Sequence, residues 1–104
     1  MAKEVFICNV DDLATRLGFK VINGDETVGI FKLSNGEIYA IGNECPGCGF
    51  PLTDGIVCED TVYCALHDEQ VDLKTGKELT DETGTHQVKT YPVSIKDNKV
   101  YLTI

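Results

Sequence analysis

Two Asn-Gly pairs, Asn23-Gly24 and Asn35-Gly36, each lie between runs rich in β-branched and aromatic residues. A tight hairpin turn needs positive φ at both central residues, which Asn and Gly adopt at least cost, so the flanking runs are restricted to antiparallel strands. Those runs are Phe19 to Ile22, Thr27 to Leu33 and Glu37 to Ile41. Val28 with Ile30, and Ile38 with Ala40, alternate with period two, as a half-buried sheet requires. Three antiparallel strands are therefore expected before residue 43.

The remaining segments agree with that frame. Glu4 to Val10, EVFICNV, reads as a first strand, with Cys8 as a small buried hydrophobe. Asp11-Asp12 precede LATRLG, where Leu13 and Leu17 are apolar and Gly18 is a stop, predicting one short helix or helical turn. Gln70 to Leu73, closed by Thr75-Gly76, predicts a strand, and the polar stretch from Lys77 to Gln87 predicts a loop in which His86 is solvated. Tyr91, Val93 and Ile95 face Val100, Leu102 and Ile104 across a turn at Asp97-Asn98, the alternation of a closing hairpin. The expected fold is all-β, an antiparallel sandwich or barrel with at most one short helix. We expect a single domain over residues 1–104, with no internal repeat.

Bulk properties narrow the function. A chain of 104 residues buries roughly two-thirds of its unfolded surface, so folding does not demand a metal. Its formal charge of −8, with nine Lys and Arg dispersed along the chain, repels phosphate backbones and argues against nucleic acid. No basic start leads into an apolar core and no long apolar run occurs, so the expected location is the cytoplasm, without a membrane partner. Five cysteines in such a chain point to thiolate or metal chemistry rather than a disulfide framework.

That chemistry concentrates between Asn43 and Gly76, which hold four of the cysteines and one of the two histidines. Cys45-Pro46-Gly47-Cys48 and Cys64-Ala65-Leu66-His67 are two short knots, and the first contains residues that bend the backbone sharply. C-x2-C, fifteen residues, then C-x2-H has the form of a tetrahedral zinc site made by Cys45, Cys48, Cys64 and His67. Against zinc, a structural site usually organises a chain too small to fold alone. Thiol redox catalysis by Cys45 and Cys48 is disfavoured, because Gly49 and Pro51 prevent the helix that would depress a thiol pKa. Cys58 follows Ile56-Val57 and is expected on a short strand, packed inward.

The residues around these knots resemble a Rieske-type [2Fe-2S] domain. The family pattern is C-P-H-x-G-x-P-L, a spacer, C-P-x-H, and an apolar-Asp-Leu-x-x-Gly run. Here it reads Cys45-Pro46-Gly47-Cys48-Gly49-Phe50-Pro51-Leu52, then Cys64-Ala65-Leu66-His67, then Val71-Asp72-Leu73-Lys74-Thr75-Gly76. The resemblance implies a Rieske-like fold in which two loops, about residues 43–76, form a cluster-binding subdomain. It implies that Cys45 and Cys64 hold one iron and that His67 supplies half the ligands of the other. Neutral imidazoles on the outer iron raise the potential above that of an all-cysteine ferredoxin.

Gly47 stands where the family places its first histidine, and glycine has no side chain to ligate with. Three outcomes are open: an outer iron left one ligand short, Cys48 as substitute ligand, or no cluster. Nearby Asp68 and Glu69 favour protonation of His67, which would weaken it as a ligand in an empty site. Phe50 and Leu52 are expected to cap the site or to form an exposed apolar docking patch.

Within the family, the His67-Asp68 pair, the size and the ending TYPVSIKDNKVYLTI resemble small subunits of NAD(P)H-dependent assimilatory nitrite reductase. That resemblance implies a non-catalytic subunit docked on a large one that carries FAD, a [4Fe-4S] centre and siroheme and reduces nitrite to ammonium. The alternatives are a stand-alone Rieske-type ferredoxin and a zinc-stabilised interaction module.

Overall fold

The computed structural model describes residues 3–45, 49, 51–64, 69–79 and 87–103. Ten strands run in chain order: β1 (Glu4–Asn9), β2 (Gly18–Asn23), β3 (Glu26–Lys32), β4 (Ile38–Gly42), β5 (Ile56–Cys58), β6 (Thr61–Tyr63), β7 (Gln70–Asp72), β8 (Thr90–Tyr91), β9 (Val93–Lys96) and β10 (Lys99–Thr103). They form three sheets, ordered β1-β10-β9, β2-β3-β4-β8 and β5-β6-β7. Every pairing between these strands is antiparallel. Among the described residues the only helical segments are two 3-10 turns, Val10–Asp12 and Leu52–Asp54. No helix among the described residues is long and apolar enough to cross a membrane.

The four-stranded sheet is the middle layer, and β3 shows why. Val28 and Ile30 face a cluster with Cys8, Leu13, Ala40, Val100 and Leu102, contributed in part by the β1-β10-β9 sheet. Phe31 on the other face joins Ile41, Leu52, Val57, Val62, Val71 and Leu73 over the β5-β6-β7 sheet. The expected half-buried alternation is thus replaced at the centre by burial on both faces. A continuous apolar run such as VGIF is what a doubly covered strand requires.

Turn chemistry follows the sequence closely at three places. Asn23 pairs with Glu26, so Gly24 and Asp25 form the tip, one residue later than expected, with Gly24 at φ 62°. The Asn35-Gly36 turn is a three-residue loop: Leu33 N–H donates to the Glu37 carbonyl at 2.8 Å and Gly36 N–H to the Leu33 carbonyl at 2.9 Å. Asp97 and Asn98 both adopt positive φ, 51° and 63°, between paired Lys96 and Lys99. Both central residues of that turn are left-handed, as a two-residue hairpin of this type needs.

Three expectations are corrected. The helical turn falls at Val10–Asp12 and not beyond Asp12. Asn9 N–H donates to Asp12 Oδ2 at 3.0 Å, so the acidic residue lies inside the turn instead of preceding it. Leu13 is then extended and buried, and the exposed Leu17 leads into β2. The run from Tyr91 to Ile95 is not one strand: Tyr91 pairs with Ala40 in the middle sheet and Val93 with Leu102 in another. Pro92, which lacks an N–H, sits where the chain changes sheet. Cys58 is exposed, because Val57 faces the core and a strand alternates.

Candidate functional site

The first knot follows β4 and the second follows β6, and their leading residues, Cys45 and Cys64, both lie in the cluster over the β5-β6-β7 sheet. Cys45 is 2% exposed and Cys64 5%, and both belong to one cluster with Leu52, Val57, Val62, Val71 and Leu73. Glu69 joins them. Its carbonyl accepts the Cys64 N–H at 2.8 Å, and its Oε2 lies 3.0 Å from Cys45 Sγ. Glu69, just after the second knot, therefore contacts both cysteines. Pro46, Gly47, Cys48, Phe50 and Ala65 to Asp68, with His67 among them, lie outside the described residues, as does His86.

The Asp-Leu-x-x-Gly run has a physical reading. Val71 and Leu73 fill the cluster, at 0% and 1% exposure. Between them Asp72 accepts the Lys74 N–H on Oδ1 at 2.9 Å, and its carbonyl accepts the Gly76 N–H at 2.7 Å. Gly76 N–H closes the turn, and its carbonyl then receives the Val88 N–H at 2.7 Å. The sequence thus turns the chain back beside the cluster that holds Cys64. The predicted loop begins later than expected: Glu78 is buried, bridges to Val71, and accepts the Gln70 N–H at 3.2 Å.

Leu52 is fully buried, so the expected exposed patch of Phe50 and Leu52 loses its described member. The cause is Asn43. This side chain is 3% exposed, its Nδ2 donates to Thr53 Oγ1 at 3.0 Å, and its Oδ1 accepts the Thr53 N–H at 2.8 Å. Thr53 lies against Gly18 of β2 and Gly29 of β3, and Leu52 packs inward beside it. Sequence reasoning passed over Asn43 and Thr53, and it placed Glu69 beside His67 and not against Cys45. The only available signal was a polar residue two places before a candidate ligand.

Beside Cys45 opens a cleft of about 480 Å³, with Glu44, Asn43, Gly49 and Tyr91 in its wall. Tyr91 O–H donates to Glu26 Oε2 at 2.7 Å, and Lys89 Nζ stands 5.0 Å over the Tyr91 ring. Burial and then the Glu26 bond push the Tyr91 hydroxyl up to about 12. Burial also raises the Cys8 thiol, on the far side of the middle sheet.

This geometry defines the class of protein: β-sheets supporting two loops whose cysteines converge in one buried cluster. The chain belongs to the Rieske-like [2Fe-2S] domain family, which it matches over residues 5–103. It is 30% identical over 102 residues to the 3-phenylpropionate/cinnamic acid dioxygenase ferredoxin subunit of Photorhabdus laumondii, covering 97% of this chain and 94% of that one. Among solved structures, one assigned as a nitrite reductase NADPH small subunit superposes with a TM-score of 0.85 at 30% identity, covering 96% and 97% of the two chains. The Escherichia coli protein NirD superposes at 0.86 with 29% identity, covering 100% of this chain and 98% of that one.

The family's cluster needs thiolates on one iron and imidazoles on the other. Two buried cysteines converging in one cluster fit the sulfur side, where bound iron would be a one-electron carrier. The imidazole side is one donor short, since Gly47 offers none and His67 alone would remain. Among the described residues, no group of three or more His, Cys, Asp and Glu side chains is placed to hold a metal ion. Cys48 and His67, half of the zinc set drawn from the sequence, fall outside them.

Proposed function

We propose that this chain is the small, non-catalytic subunit of a cytoplasmic NAD(P)H-dependent nitrite reductase, acting as one domain that docks on the large catalytic subunit. The large subunit would carry the FAD, [4Fe-4S] and siroheme that turn nitrite into ammonium in nitrate assimilation. Gly47 carries the reading: a shuttle must bind its cluster fully, whereas a docking subunit need not. Full-length likeness to a structure assigned as such a small subunit supports it. Electron transfer through Cys45, Cys64 and His67 arises only where a [2Fe-2S] cluster is bound, with Cys48 the candidate substitute for the missing imidazole.

The test is reconstitution. The chain alone should show no nitrite reductase activity, and it should co-purify with the large subunit and raise or stabilise that subunit's activity. Absence of association between the two purified proteins would overturn the proposal.

A second reading, a ferredoxin feeding a dioxygenase, draws on the 30% identity to the Photorhabdus ferredoxin subunit. It requires bound iron, so a colourless protein without iron would remove it.

A further inference from the structure

We infer that Asn43 is a positioning residue: its two bonds to Thr53 fix Thr53 and Leu52 against the middle sheet and keep the neighbouring Cys45 thiol in the buried cluster. This deepens the proposed role of Cys45 and rests on that reading for its functional meaning. The clamp itself is a separate structural matter.

Asn43 is the last residue before the loop's Glu44-Cys45, and Thr53 follows the buried Leu52 at its far end. Two hydrogen bonds, at 3.0 and 2.8 Å, therefore join residues ten apart, with Cys45 next to one end and Leu52 next to the other, both in the buried cluster. The anchor for this clamp is the middle sheet, because Asn43 N–H donates to the Thr27 carbonyl at 2.9 Å. A buried amide with both ends satisfied on one partner is costly to release, since either group left alone is unpaired away from water.

The seat beneath the clamp is made of missing side chains. A Cβ on Gly18 would stand 2.6 to 2.8 Å from Thr53 atoms, and one on Gly29 would stand 3.0 Å from Thr53 Cγ2 and 3.3 Å from Asn43 Oδ1. Gly18 and Gly29 thus let the loop end lie flat on β2 and β3. An ordinary hairpin has no use for this arrangement. Asn43, Cys45 and Gly49 also line the cleft described above, so loss of the clamp loosens Cys45 next to a path from solvent.

The experiment measures alkylation of each cysteine by iodoacetamide in the full folded chain after chelator treatment, mapped by peptide mass spectrometry. Cys8, buried in the other core, reports global opening. Asn43→Ala should raise the Cys45 rate relative to Cys8 by about tenfold or more, as expected for a local rather than global opening. Thr53→Val should do the same by a smaller factor, Thr53→Ser should restore the wild-type ratio, and the double variant should add little to Asn43→Ala.

Equal acceleration of Cys45 and Cys8, or an unchanged Cys45, would overturn the inference. Should Asn43→Ala fail to fold, Thr53→Val, which removes one bond at nearly constant volume, decides the matter alone. Iron loading of Cys45→Ser tests the ligand role separately, so failure of one leaves the other standing.

Discussion

Replacing Gly76 with alanine probes how the second knot is supported. Gly76 has φ 77°, and a Cβ there would stand 2.2 Å from the Val88 carbonyl oxygen and 3.1 Å from Thr90 Cγ2. The carbonyl cannot step aside cheaply. The Val88 N–H is bonded to Gly76 itself, and the neighbouring Lys89 carbonyl accepts the Gly42 N–H, both at 2.7 Å. The left-handed conformation costs an alanine ~1–2 kcal/mol, and each backbone bond disturbed by the clash adds ~0.5–1.5 kcal/mol. We expect a loss of about 3 kcal/mol for Gly76→Ala, equivalent to a fall in Tm of roughly 12–24 °C for a chain of this size.

Gly24→Ala is the matched control. Its φ is 62°, but nothing lies within 4 Å of the added Cβ, so only the conformational cost remains. Urea unfolding followed by far-ultraviolet circular dichroism, with the m-value checked for constancy, measures both variants. Equal losses at the two positions would refute the reasoning, since the close approach to Val88 would then carry no energy.

Other predictions follow from the same geometry. Tyr91 has a pKa raised from an ordinary 10 to about 12, chiefly by burial, so its contribution is fully present below pH 10 and is lost as pH rises toward 12. Tyr91→Phe should therefore flatten the fall in unfolding free energy between pH 10 and 12, measured by urea titration; an unchanged slope would contradict the assignment. In the native protein Cys58 should be alkylated well before Cys8, because one is exposed and the other buried with a raised thiol pKa; peptide mapping showing the reverse order would remove that account of β5. Leu52→Ala should cost about 2–5 kcal/mol in thermal or urea unfolding, whereas a surface docking residue would cost almost nothing.

The strands were legible where the sequence carried both periodicity and turn residues. Asn23-Gly24, Asn35-Gly36 and Asp97-Asn98 all mark hairpins within a residue of where they form. The β5-β6 hairpin was only half legible, with β6 and the turn unread. Each strand has only three residues, and the turn uses Glu59-Asp60, with Glu59 at φ 56°, so no glycine or asparagine announces it. The helix expected after Asp12 failed because local capping competed with it: the acidic residue served the turn that precedes it.

At the site, the convergence of Cys45 and Cys64 in one cluster was legible from their motifs, since the residues after them specify turns. The contacts that hold them were not. Asn43 with Thr53 and Glu69 with Cys45 are tertiary pairs separated by 10 and 24 residues, and no local pattern encodes which polar side chain will be buried. Leu52 was misplaced for that reason. An apolar residue beside a turn reads as a patch until the clamp that buries it is known.

We propose that Cys45 and Cys64 supply the sulfur side of a Rieske-type site and that Gly47 leaves the imidazole side one donor short. Iron and acid-labile sulfide per chain, with the visible spectrum, in protein purified without oxygen address that most directly. The wild type should carry less than one cluster per chain, and Gly47→His should raise the loading severalfold. A wild-type protein fully loaded with a stable [2Fe-2S] centre, unaffected by Gly47→His, would contradict it.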